Sequence, residues 1–258
     1  MPRQWRILLA IEWTPMIAFM RKRLKLTDWL DEHTSPQAFI DEADHVGVAL
    51  GDLDTRAVIS RERMIITASS TEALPSLRPV VDAVFTVMEP KLPGLAHSRV
   101  TLTHPLTGSY TELIADFAHR AGLSNAVLPP GVHAVDSSVL TDMRDDARRV
   151  QIEWGVVNRN ELFDRVSDWS FGRLSSPGAD LSTGPRALSA FGKPADVSEV
   201  SLLTDVSMYG EPPIDITDSE HLFSTAENEV RHASAIGTAV ADGIKSQGGE
   251  HSDHAFVR

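Results

Sequence analysis

Cysteine is absent from this chain of 258 residues. That excludes disulfides, thiolate metal sites and cysteine nucleophiles. Basic charge is in short supply: 24 Lys and Arg stand against 36 Asp and Glu, for a net charge of −12. The deficit is uneven. Residues 1–130 carry 13 basic against 15 acidic side chains, and residues 131–258 carry 11 against 21. A nucleic-acid binder presents a basic face, and neither half offers one, so no nucleic-acid partner is expected. The acidic second half reads as a solvated surface, with a basic partner as the alternative.

Long apolar runs are missing as well. No segment suffices to span a bilayer, and no membrane partner is expected. The N-terminus mimics a secretion signal, with Arg3 and Arg6 ahead of an apolar stretch. Glu12 interrupts that stretch, Arg21-Lys22-Arg23 closes it, and no small-residue cleavage site follows. The reading is a soluble cytoplasmic protein. Arg21, Lys22, Arg23 and Lys25 form the one dense basic run. It reads as a solvated helix end complementing the helix dipole, or as a contact for a small anion.

Catalytic signatures are the third absence. There is no glycine-rich phosphate loop, no Gly-x-Ser-x-Gly elbow and no His-Glu-x-x-His. Ser109 follows Gly108 but serves better as a helix cap. Asp41 and His45 fall at i, i+4 on an expected helix, beside Glu42 and Asp44, and read as a solvated face. His221, Glu229 and His232 put no trio of ligands on one helix face. His251 and His254 lie in the tail. No metal site and no cofactor are expected.

What the chain does contain is a repeated phrase. Ile11-Glu12-Trp13 recurs as Ile152-Glu153-Trp154. Ile7, Leu9, Ile11 and Trp13 alternate, as do Val150, Ile152 and Trp154, which places the apolar residues on one strand face and each glutamate on the other. A helix start follows each time, at Thr14-Pro15 with Met16, Phe19 and Met20, and at Asn160 with Leu162, Phe163, Val166 and Trp169. Val58–Ile59 and Met64–Ala68 read as strand. Ser76 then caps a helix carrying Leu77, Val80, Val81, Val84, Phe85 and Met88. In the second half Val200, Leu202, Val206 and Met208 read as a strand with Asp205 on its other face. Asp218 caps a helix carrying Leu222, Phe223, Ala226, Val230, Ala233, Ile236 and Val240.

Between these, Ser35-Pro36 predicts a helix with Phe39, Ile40, Ala43 and Val46 buried. Gly51–Arg56 reads as a turn and Pro90–Gly94 as a linker. Arg99–Thr103 reads as a strand, followed by a helix capped by Ser109 and stopped by Gly122. Pro129-Pro130-Gly131 marks the boundary between halves, and Val132–Leu140 reads as a further strand. Residues 172–198, rich in Gly, Pro and Ser, read as a long irregular segment.

The expected fold is therefore α+β, with two similar halves over residues 1–130 and 131–245. A mostly antiparallel sheet carries long amphipathic helices, and residues 246–258 form a disordered tail. The site candidates are the two motifs. Under pseudo-twofold symmetry Glu12 and Glu153 approach each other as paired carboxylates able to do acid/base work, with Trp13 and Trp154 lining the same pocket. The competing assignment makes both glutamates solvated or paired with Arg61, Arg63 or Arg159, and both tryptophans core residues.

The second half, from Val150 to Val157 and then Ser201-Leu-Leu-Thr-Asp-Val206 before a helix carrying Phe223, resembles a sporadically distributed family of bacterial proteins with no assigned activity. The resemblance implies an α+β bacterial protein and carries no catalytic residue. The functional expectation is a non-catalytic protein that binds a protein partner or itself as a homo-oligomer. The alternative is a small-molecule-binding protein or enzyme with a pocket between the halves.

Overall fold

The computed structural model describes residues 3–50, 55–120, 138–145, 148–162 and 198–247. They form an antiparallel sheet of nine strands, β1 Arg3–Glu12, β2 Ala38–Asp41, β3 His45–Leu50, β4 Thr55–Ser60, β5 Arg63–Ala68, β6 Gly94–Pro105, β7 Ser138–Asp145, β8 Arg148–Asn158 and β9 Val200–Asp215. The order across the sheet is β2-β3-β4-β5-β1-β6-β9-β8-β7. The helices are α1 Phe19–His33, α2 Arg78–Ala83, α3 Tyr110–Arg120 and α4 Ser219–Gln247. The α+β class of the sequence reading holds.

Strand alternation sets which face receives the helices. Ile7, Val100, Val206 and Ile152 stand in one row across β1, β6, β9 and β8. All four are buried in one core with Phe19 and Leu30 of α1, Val80 of α2 and Val230 of α4. Leu113, Ile114 and Phe117 of α3 cover Val156 and Leu202 on the same face. Helix α4 lies close on β6 and β9, because residue 237 is glycine. A Cβ there would meet Leu102 Cδ1 at 2.9 Å and Thr204 Oγ1 at 3.1 Å.

Two caps behave as their sequence predicts. Ser109 Oγ accepts the Glu112 N–H, and Asp218 Oδ1 accepts the His221 N–H at 2.8 Å. The helical turn after β8 is capped two residues earlier than expected, with Asn158 Oδ1 accepting the Glu161 N–H.

Other expectations are corrected. Phe39 and Val46 belong to a β2–β3 hairpin, not a helix, with Phe39↔Val48 and Ile40↔Gly47 paired. The first helix begins at Phe19, beyond Thr14-Pro15. The Ser76 helix is a composite of a 3-10 turn at Leu74–Leu77, α2, and a π turn at Val84–Met88, with Ser76 inside the 3-10 turn. Phe85 and Ile236 are half-buried, whereas Val80, Val81, Val84 and Ala233 are fully buried. The last helix runs to Gln247, into the expected tail. The basic run lies in the first two turns of α1, where positive charge opposes the helix dipole. Lys22 and Arg23 are offset there by Glu89 at 2.8 Å and Asp41 at 2.6 Å.

The two Ile-Glu-Trp motifs occupy different places. Glu12 is the last residue of β1, between Arg63 and Gly94. Glu153 stands inside β8, between Leu140 and Asp205. With Ile7 and Ile152 in one row, the motifs are four residues out of step. The Pro129-Pro130-Gly131 boundary, the strand reading at 132–137, the segment 172–197 and the chain beyond Gln247 lie outside the described residues.

Candidate functional site

The four candidate residues do not come together. Trp13 is buried in the core and its Nε1 donates to Arg61 O at 3.1 Å. Trp154 is half-buried on the helix side, edge-on to Phe117 with ring centroids 5.2 Å apart. Glu12 is exposed at the end of β1. Glu153, like Glu12, points away from that core, and β6 and β9 separate its strand from that of Glu12. Three strand spacings alone amount to ~14 Å.

A pair of carboxylates nevertheless exists, with a different partner. Glu153 stands directly across from Asp205 on the face opposite the one that receives α1, α2, α3 and α4. The row continues through Thr101 of β6 to Arg6 of β1. The next row on this face holds Arg56, Thr67, Leu8, Arg99, Ser207 and Gln151. Arg99 grips Asp205 with two hydrogen bonds, one from Nε at 2.7 Å and one from Nη2, and Thr101 Oγ1 adds a third at 3.4 Å. Arg6, Arg56, Thr101, Asp205 and Ser207 are all buried. This is an unusual lining for the back of a sheet, since buried charges need partners. Arg6, Arg56, Arg99 and Glu153 each make further interactions beyond these.

The electrostatics follow from this crowding. Burial pushes the Asp205 carboxyl up to about 7; Arg99 opposes the shift and Glu153 adds to it. Burial, with Arg56 and Arg99 nearby, lowers the Arg6 guanidinium to about 9. One row beyond Arg99, His97 stacks on Tyr209 with centroids 4.4 Å apart. Burial and then Arg99 press His97 down to about 4.

Sequence reasoning placed Asp205 off the core face, but nothing in the chain paired it with Glu153, because their opposition is a matter of register. A second cluster, Glu42, Asp44 and His45, brings its ligand atoms within 4.8 Å of one another at the β2–β3 turn. His45 Nδ1 is already bonded to Asp44 there at 2.8 Å.

The sheet edges complete the inventory. On the described residues β7 pairs only with β8. Its Leu140 and Met143 are 60% and 42% exposed. The other edge, β2, is four residues long. No protein-family model matches this chain, and the curated proteins contain no match either.

Proposed function

We propose that the protein acts by association rather than by catalysis, pairing its β7 edge with a second copy of the chain. The observation that carries this is the character of β7: an eight-residue edge strand with exposed Leu140 and Met143. Unpaired strand edges recruit strands unless they are covered or discouraged by charge. In a twofold antiparallel pair, one residue must face its own copy. Centring on Met143 sets Asp142 opposite Arg144 twice over, so the edge charges favour this register instead of blocking it. Centring on Asp142 opposes two carboxylates. In this reading the chain is a cytoplasmic protein, and a bacterial one as the family resemblance implies.

Sedimentation velocity over a concentration series tests the reading. The parent chain should dimerise, Arg144→Glu should shift it to monomer, and Asp142→Arg with Arg144→Glu should restore the dimer. A monomeric parent, or a charge swap that fails to restore the dimer, overturns it.

The duplicated-halves reading is kept for the central strands only. A twofold placed between Val100 and Val206 carries residues 6–10 onto 151–155 and relates residues 97–105 to 201–209, up to the bulges on either side. This register supports two related strand pairs, independently of the Ile-Glu-Trp motifs.

A second functional reading, a small-molecule or acid/base site, has one observation in its favour. Glu153 and Asp205 are paired carboxylates with Asp205 raised into the neutral range, the condition for proton transfer near pH 7.

A further inference from the structure

One group of donor side chains stands outside everything used so far. Asp41, Glu42, Asp44 and His45 lie where β2 turns into β3. The Glu42 N–H donates to His45 O at 3.0 Å and closes the turn. Arg23 of α1 braces it from the side, donating to Asp41 Oδ1 at 2.6 Å and to the Glu42 carbonyl. That contact engages Asp41. The donor atoms of Glu42, Asp44 and His45 fall within 4.8 Å of one another.

Two carboxylates on a turn would by themselves be a solvated surface. His45 distinguishes this turn. Its side chain is only 4% exposed, and its Nδ1 points at the carboxylates, 2.8 Å from Asp44 Oδ1 and 4.0 Å from Glu42 Oε2. Its Nε2 is buried with no hydrogen-bond partner among the described residues. The ring is thus directed wholly into the cluster, and a buried polar atom left unpaired calls for an explanation.

We infer that this turn takes a divalent transition-metal ion, zinc above all, on His45 Nδ1, Asp44 and Glu42. Donors about 2.1 Å from a tetrahedral ion stand roughly 3.4 Å apart. The two separations from Nδ1 bracket that spacing. The Glu42 and Asp44 side chains are 44% and 64% exposed, so both can swing to complete the geometry. An imidazole beside two carboxylates suits zinc, whereas magnesium and calcium favour oxygen donors alone. With three protein donors, the fourth position falls to water. The ion replaces the Nδ1 proton, which moves to Nε2, a nitrogen unpaired in either tautomer. The inference departs from the expectation of no metal site, which laid Asp41 and His45 along a helix; the hairpin is what gathers the three donors. It is independent of β7.

The test is calorimetric titration of the full chain with zinc chloride. The parent should take up one zinc ion and show no response to magnesium chloride over the same range. Glu42→Gln and Asp44→Asn should each weaken uptake several-fold, and together should abolish it. His45→Phe keeps a ring in the buried place and should abolish uptake as well. The double carboxylate variant changes only side chains that reach solvent, so its thermal melt without metal should match the parent's. His251→Ala with His254→Ala should keep the site, which separates it from casual binding in the tail. No zinc uptake by the parent, uptake that the double carboxylate variant retains, or uptake lost with the tail histidines overturns the inference.

Discussion

Glu153 on β8 faces Asp205 on β9, and Arg99 on β6 closes on Asp205 from the other side. Two carboxylates and a guanidinium thus share one stretch of sheet, on the face opposite α1, α2, α3 and α4, with Asp205 buried between its neighbours. The arrangement makes the stability of the protein depend on pH in a direction that can be worked out.

Asp205 titrates at about 7 in the folded protein, against 3.8 as its ordinary value. Between those values the folded state keeps a proton that the unfolded chain has released. Its contribution is therefore complete below pH 3.8 and is lost as pH rises towards 7. Urea unfolding of the parent and of Asp205→Asn, compared from pH 4 to 7, should show the parent losing stability relative to the variant. A difference that stays flat across this range removes the claim.

His97 works in the opposite sense. Its folded value of about 4 lies below the ordinary 6.5. Its contribution is complete above pH 6.5 and is lost as pH falls towards 4. His97→Phe keeps a ring against Tyr209 and should erase that acid-side loss. The readout is again the difference in unfolding free energy between variant and parent across the window.

Gly237 tests the seat of α4 on the sheet. Alanine there gains about 1 kcal/mol of helix propensity, which offsets the displacement of the flexible end of Leu102. Valine adds bulk against Thr204 and Val206 and should cost roughly 1–3 kcal/mol by overpacking. Equal melting temperatures for the parent and Gly237→Val would show that the helix sits further from β6 and β9.

The two phenylalanines that pattern alone makes alike should separate. Phe117 is fully buried against Trp154, and Phe117→Ala should cost about 3–5 kcal/mol. Phe85 is half-buried on the π turn and should cost clearly less. A denaturation series on both variants decides.

Asp218 caps α4 through the His221 N–H, an exposed contact. Asp218→Ala should lower the melting temperature while Asp218→Ser largely preserves it, since serine also accepts from the first turn. Equal losses from both substitutions would point away from capping.

The sequence by itself determined the local grammar. The alternation of Ile7, Leu9 and Ile11 and of Val150 and Ile152 assigned a core face, because side chains of a strand point alternately to its two sides. Ser109 and Asp218 marked helix starts, because their oxygens satisfy N–H groups that a helix leaves open. The spacing of Phe39, Ile40, Ala43 and Val46 misled, because short apolar clusters satisfy either period and the reversal at Glu42–Asp44 carries no glycine or proline. Tertiary structure alone decided the rest. Ile-Glu-Trp occurs twice, but only strand register says that the copies are out of step and that Glu153 meets Asp205 instead of Glu12. Register joins residues about fifty positions apart, and no local pattern records it.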